Sequence, residues 1–332
     1  KLSKVNYFIT PDLKSISGGN KYDLNVIDYL NTHRCKIVNV KVKDINLLSY
    51  KFFFKINKIP KNSTLLIDGL VASKMNHLIK ILSKKYNIIL LIHHPVSYEE
   101  KKNGDISYKL KERKVFSHAK RIITVSHTMK KIIKNMLTKN KNIDVIYPGV
   151  DNIYYQNKIT NLSINHNIAT IGSVIPRKNI EKCIETLSHL DEKWTLSIFG
   201  GFYESDPYYK NLTSKINYYN LENRVVFHNT IDDEKILIEH LKNSRVYLCL
   251  SKYEGYGMAN IESATIGLPL VVADLPVFRE NLRGFNRTYT DSKSPRAVAD
   301  AIIKTSFDDN HINLRTRSWE DVGFSFKQVL NG

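Results

Sequence analysis

Short apolar runs with strand character alternate with helix-period patterns along the whole chain. That alternation restricts the fold to parallel sheets joined by crossover helices. In the first half the strand-like runs are "VNYFIT", "CKIVNVKV", "TLLIDGL", "NIILLIHH", "RIITVS" and "IDVIYP". Between the last two, "SHTMKKIIKNML" sets Met129, Ile132, Ile133, Met136 and Leu137 on one helical face, with Lys130, Lys131 and Lys134 off it. Such a stripe packs on a sheet or, alternatively, lies on a membrane surface. "YPGVDNIYYQNKITNLSINHN" interrupts the pattern with a Pro-Gly turn and Asn-rich polar sequence, and reads as a linker. A second series follows: "NIATIGSV", "WTLSIFGG", "RVVFHN", "RVYLCLS" and "LPLVVAD", with helix starts expected near Asn179, Asp206, Asp232, Gly257 and Pro295. The prediction is an α/β chain of two Rossmann-like, doubly wound parallel-sheet domains, 1–150 and 151–310, with a helical segment over 311–332.

Composition bounds what such a chain can be. The 332 residues, 42% hydrophobic and 25% charged, suit a globular protein, and no apolar run approaches the roughly 18 residues that would span a bilayer. The opening "KLSKVNYFITPDL" has no secretory-signal pattern, so cytoplasmic residence is the expectation. Cys35, Cys183 and Cys249 each lie in or beside an apolar run, which predicts reduced, buried thiols, and they have no zinc-type spacing. Charge is uneven. Residues 1–150 carry 29 Lys and Arg against 10 Asp and Glu, whereas the remainder is near balance. A basic half fits a composition bias, an anionic membrane surface or an acidic acceptor. A non-catalytic module holding nucleic acid or an acidic polymer is a further alternative. No nucleic-acid motif accompanies the scattered lysines, so nucleic acid is not the expected partner. Retention on anionic liposomes at low salt is the check on the membrane reading.

Ligands of open parallel sheets bind beyond the carboxyl ends of the strands, so the strand-to-helix turns carry the candidates. In "EGYGMANIE", Gly255 and Gly257 admit close approach, and the helix starting near Gly257 offers amide donors and about half a positive charge to a pyrophosphate. Tyr256, Met258 and Ala259 lie in the same turn. Glu254 and Glu262 are placed to grip the two ends of a sugar nucleotide, the sugar and the ribose diol respectively. Two solvated acids would give the same spacing. In "GSVIPRKN", Arg177 and Lys178 are placed to neutralise a leaving diphosphate without a metal, or are simply solvated, with Asn179 as a helix cap. Gly18-Gly19 opens a helix after the first strand but lacks the dinucleotide fingerprint. His93-His94-Pro95 ends the fourth strand, where one imidazole only can face a ligand. No third metal ligand accompanies them in sequence.

These motifs together resemble those of retaining glycosyltransferases of the GT-B fold, most closely family 4. The residues that carry the likeness are Gly18-Gly19, His93, "VIYPGVD", "GSVIPRKN" and "SKYEGYGMANIESATIGLPLVVADLPVFREN". The resemblance implies two facing domains with a cleft between them, the first for the acceptor and the second for the nucleotide-sugar donor, and a C-terminal segment that crosses back to the first. It also implies a catalytic group of His93, Glu254, Arg177 and Lys178. The donor would be held by Gly18, Gly19, Arg177, Lys178, Gly255, Tyr256, Gly257, Met258, Ala259 and Glu262. The implied donor is a UDP or GDP sugar, with no cofactor or metal required. The implied acceptor is a glycan, a lipid-linked or a small-molecule hydroxyl, with an anionic membrane as a surface partner of the first domain. A same-fold epimerase or phosphorylase is the alternative. The chain departs from the family at Gly172-Ser173, where many members have Gly-Arg, and at "LPVFREN", where a Gly-Gly loop is common.

Overall fold

Six parallel strands form the sheet of the first unit in the order β2-β1-β3-β4-β5-β6. They are β1 Asn6–Pro11, β2 Ile37–Val42, β3 Thr64–Asp68, β4 Asn87–Ile92, β5 Arg121–Thr124 and β6 Asn142–Val145. The computed structural model describes residues 6–14, 17–33, 37–42, 50–99, 105–306 and 316–331, so Cys35 and part of the expected 311–332 segment lie outside the described residues. The chain divides into Lys1–Gly149 with Arg317–Gly332, and Val150–Thr316.

Continuous apolar sequence makes central strands here because both faces of a parallel sheet are covered. All five residues of β3 and five of the six in β4 are buried. The helix His127–Met136 buries Met129 and Ile133, with Ile133 in this core and Met136 and Leu137 packed beside it, while Lys131 and Lys134 are exposed. The sheet therefore takes the apolar stripe. The helix Trp319–Asn331 belongs to the same unit and packs on the helix Gly18–Thr32. Trp319 and Phe326 each meet the edge or face of Tyr22 with ring centroids 5.8 Å apart, and the Tyr22 hydroxyl donates to the Ile146 carbonyl at 2.8 Å.

The second unit repeats the architecture with β7 Asn167–Ile171, β8 Thr195–Phe199, β9 Val225–His228, β10 Val246–Cys249, β11 Leu270–Ala273 and β12 Arg287–Thr290. Its order is β12-β11-β10-β7-β8-β9, again all parallel. The sequence reading omits β12, because "RTYT" at the sheet edge has no apolar run and three of its four residues are only half-buried. The stretch read as a linker contains a short helix, Asn152–Gln156, anchored by fully buried Tyr154. Its Asn-rich neighbours hide that apolar contact in the sequence. Asp206 and Asp233 cap their helices, accepting from the Tyr208 and Lys235 amides at 2.7 and 2.8 Å. Cys183 and Cys249 are free and buried. Among the described residues no helix is long and apolar enough to cross a membrane.

Each sheet has a point where the chain reverses its direction of travel. It falls between β1 and β3 in the first unit and between β7 and β10 in the second. At such a point adjacent turns diverge to opposite faces and leave a crevice at the carboxyl edge.

Candidate functional site

The turns after β7 and β10 flank the reversal of the second sheet, and they are tied together by backbone and side chain. The Lys252 amide donates to the Arg177 carbonyl at 2.9 Å. The Asn179 side-chain amide donates to the Leu250 carbonyl at 3.1 Å. Asn179 thus stands at the start of the helix Ile180–Leu187 with a left-handed backbone (φ 57°), but its side chain makes no capping bond. The expected cap instead fastens one turn to the other.

Arg177 and Lys178 converge on Glu254. The Lys178 ammonium lies 2.7 Å from Glu254 Oε1, the Arg177 guanidinium 2.9 Å from the same oxygen, and the Ser251 hydroxyl donates to it at 2.9 Å. All three contacts fall on Oε1, so Oε2 is the oxygen left for another group. Arg177 also donates to the Tyr253 carbonyl at 3.2 Å and sits 5.4 Å from the centre of the Tyr253 ring. Burial pushes the Glu254 carboxyl up, but the Lys178 and Arg177 charges, with bonds from Lys178 and Ser251, hold it at about 2. Burial works against the Arg177 charge, and Glu254 outweighs it, so the guanidinium is held above its ordinary range. Lys178 reaches this position across Gly172, whose φ is 147°; a Cβ there would fall 2.6 Å from Lys178 Cε.

Gly257 precedes the helix Met258–Thr265 with φ 86°, and a Cβ on it would meet Phe278 Cε1 at 2.8 Å and Asn260 Nδ2 at 3.1 Å. Left-handed backbone is a glycine conformation, and here it turns the chain from Gly255, Tyr256 and Gly257 into Met258 and Ala259 at the helix start. Tyr256 is tethered by the Asn281 amide, which donates to its carbonyl. One helical turn on, Glu262 is buried, and its carboxylate converges with those of Asp151 and Glu234, with one oxygen of each within 4.8 Å of the others.

The first unit holds the remaining candidates. Gly18 and Gly19 begin the helix Gly18–Thr32, capped by the Ser17 hydroxyl, which accepts from the Asn20 amide at 3.1 Å. His93 follows β4, and its Cδ2 lies 3.3 Å from where a Cβ of Gly19 would stand. The two imidazoles part company: His93 Nε2 is 3.0 Å from Asp23 Oδ1 and 3.7 Å from Asp68 Oδ2, whereas His94 Nε2 is 3.9 Å from Glu99. The His93, Asp23 and Asp68 ligand atoms form the other described trio close enough for a metal ion.

Sequence reasoning therefore names Gly18, Gly19, His93, Arg177, Lys178 and the 254–262 turn. It misses Asp23, Asp68, Asp151, Glu234 and Ser251. The signal that could mark Asp23 is its place on the buried helix face with Tyr22, Val26 and Leu30. For Asp68 the signal is an acid that directly follows the apolar run Leu65, Leu66 and Ile67 at the strand's end.

Comparison with known proteins places both units. The pattern of the family described as "Glycosyl transferases group 1" matches residues 155–317, and that of "Glycosyltransferase Family 4" matches residues 29–152. The O-antigen biosynthesis glycosyltransferase WclY of Escherichia coli is 27% identical over 180 residues, which take in 52% of this chain and 48% of that protein. The match thus spans about half the length of that curated relative. Sucrose-phosphate synthase from Thermosynechococcus elongatus superposes with a TM-score of 0.81 at 14% identity, over 99% of this chain and 98% of that one. Anabaena HepE, solved in complex with UDP and glucose, superposes with a TM-score of 0.77 at 14% identity over 99% of each chain.

Proposed function

We propose that this chain, which belongs to the group 1 glycosyltransferases of the GT-B fold, moves a sugar from a nucleoside diphosphate to an acceptor hydroxyl with retention at the anomeric carbon. The observation that carries this reading is the meeting of Arg177, Lys178 and Glu254 at the reversal of the second sheet, in the turns that lead to the Gly257 helix start. Two cations and a helix N-terminus suit a diphosphate whose charge grows as it departs.

In this mechanism the bond from C1 of the sugar to the diphosphate oxygen breaks, and the acceptor oxygen bonds to C1 on the same face. The acceptor proton passes to the departing diphosphate. Arg177, Lys178 and the first amides of the Met258 helix stabilise that leaving group, so the proposal assigns no divalent metal or cofactor to the step. Glu254 Oε2 accepts from the sugar hydroxyls, and Glu262 accepts from the ribose diol. A glycosidase route requires two carboxylates flanking one scissile bond, whereas Glu254 and Glu262 are assigned to opposite ends of one donor.

The UDP complex of HepE supports a uridine donor ahead of guanosine. The O-antigen relative supports a polysaccharide or lipid-linked glycan acceptor, for which the cation-rich first unit is suited. Incubating the chain with a panel of UDP and GDP sugars, with and without glycan and lipid-linked acceptors, tests the assignment. The expected result is nucleoside diphosphate release that rises at least tenfold with one acceptor, and a product whose anomeric configuration matches the donor. Release indifferent to every acceptor, or an inverted product, contradicts it.

A further inference from the structure

From the packing around His93, and resting on the transferase reading above, we infer that Asp23 and Asp68 are positioning residues that hold Nε2 of His93 inside the fold and make Nδ1 the atom offered to substrate. Three successive strands of the sheet, β1, β3 and β4, bring these groups together at their carboxyl ends. Asp23 comes from the helix after β1, Asp68 closes β3 and His93 follows β4.

The ring is boxed along one edge. Gly19 lies against Cδ2, the Tyr22 ring meets it edge-on with centroids 5.3 Å apart, and Asp23 takes Nε2 at 3.0 Å. Asp68 is itself fixed, because its Oδ1 accepts from the Leu70 and Val71 amides at 2.9 and 3.3 Å while Oδ2 turns to the imidazole. Both acids are almost wholly buried, with 1% and 5% of their side chains exposed, against 19% for His93. The exposed part of the imidazole is therefore left to the edge that carries Nδ1, which has no hydrogen-bond partner among the described residues. Tyr22 in turn packs edge-on against Trp319 and Phe326.

Position decides chemistry here. With Nε2–H donated to Asp23, a protonated ring presents Nδ1–H as a donor, and a neutral ring presents Nδ1 as an acceptor. The groups facing the ring are Asp23 and Tyr22 from the first helix and Asp68 from β3, and the Tyr22 hydroxyl is committed to Ile146. His94 and Glu99, from the ring's own loop, approach each other. Burial pushes the imidazole down, but the charge and hydrogen bond of Asp23 and the charge of Asp68 outweigh it, so the ring stays protonated above its ordinary range. Burial and the Asp23 charge push Asp68 up to about 7, and burial raises Asp23 too. The three exchange protons as one unit, and the Asp23 contact at Nε2 leaves Nδ1 as the ring nitrogen whose proton that unit gains or loses.

Ring-nitrogen NMR of the full chain across pH 5.5 to 9, with and without EDTA, reads the arrangement without any assay of transfer. Its failure is therefore distinct from failure of the transferase reading. The expected spectrum has His93 protonated at Nε2 throughout, with Nδ1 losing its proton above pH 6.5. In Asp23→Asn that loss shifts down by at least one pH unit, and Asp68→Asn shifts it in the same direction. The kcat/KM profile of Asp23→Asn is expected to lose its alkaline limb correspondingly earlier, with about a tenfold deficit at pH 8 and a smaller one at pH 6. A neutral ring protonated at Nδ1, a spectrum that changes on adding EDTA, or a deficit in Asp23→Asn that is equal at every pH would overturn the inference. If Asp23→Asn fails to fold, the wild-type spectrum alone decides it.

Discussion

Glu254→Gln is expected to lower kcat by about a hundredfold or more and to cost about 3 kcal/mol of stability at pH 7. The variant keeps the shape of the side chain and removes its charge, leaving the Arg177 and Lys178 cations at 2.9 and 2.7 Å with no countercharge. Breaking a buried pair from one side is expensive because the remaining charge cannot recover its hydration. The pH dependence follows from the carboxyl's position near 2, below its ordinary 4.5. A carboxyl depressed by folding contributes stability that is fully present above the unfolded value and is lost as pH falls through the folded one. The gap between wild type and variant in urea unfolding should therefore be full at pH 7, begin to shrink below about pH 4.5, and nearly close by pH 2. A gap that is constant from pH 7 to pH 3, or absent at pH 7, would remove Glu254 from the ion cluster.

A methyl group on Gly257 should act on the donor more than on the fold. At φ 86° an alanine is strained by about 1–3 kcal/mol, and its Cβ would stand 2.8 Å from Phe278 Cε1 and 3.1 Å from Asn260 Nδ2. Relief requires the Met258–Thr265 helix to turn or slide, which re-aims its first amides. The expected signature of Gly257→Ala is a donor KM raised at least tenfold, with the melting temperature down by several degrees. Steady-state kinetics with the donor varied, beside a thermal melt, measures both. An unchanged KM in a destabilised variant would mean that the helix start does not meet the diphosphate.

The strands were legible because burial on both faces of a parallel sheet demands unbroken apolar sequence, as "TLLID" and "NIILLI" show. β12 was not, since an edge strand such as "RTYT" needs no apolar run. The Asn152–Gln156 helix was hidden for a related reason: one buried tyrosine anchors it among polar neighbours. In the site, Arg177, Lys178 and the Gly257 turn could be read because glycine and paired cations mark a strand-to-helix turn. That Asn179 fastens two loops instead of capping a helix could not be read, because its partner, the Leu250 carbonyl, is distant in sequence. Asp23 and Asp68 were missed for the same reason: an acid on an apolar face makes sense only once His93 is seen beside it.

Calorimetric titration of UDP and GDP into the full chain in EDTA, repeated with Lys178→Ala and Arg113→Ala, bears most directly on the donor site. Each variant removes one cation, but Lys178 lies against Glu254 whereas Arg113 is an exposed residue of the helix Ile106–Ser117 in the other unit. The account predicts saturable binding of one nucleotide by wild type, at least tenfold weaker binding by Lys178→Ala, and wild-type affinity in Arg113→Ala. Absence of saturable binding for both nucleotides at millimolar concentration, or equal weakening by the two variants, would contradict it.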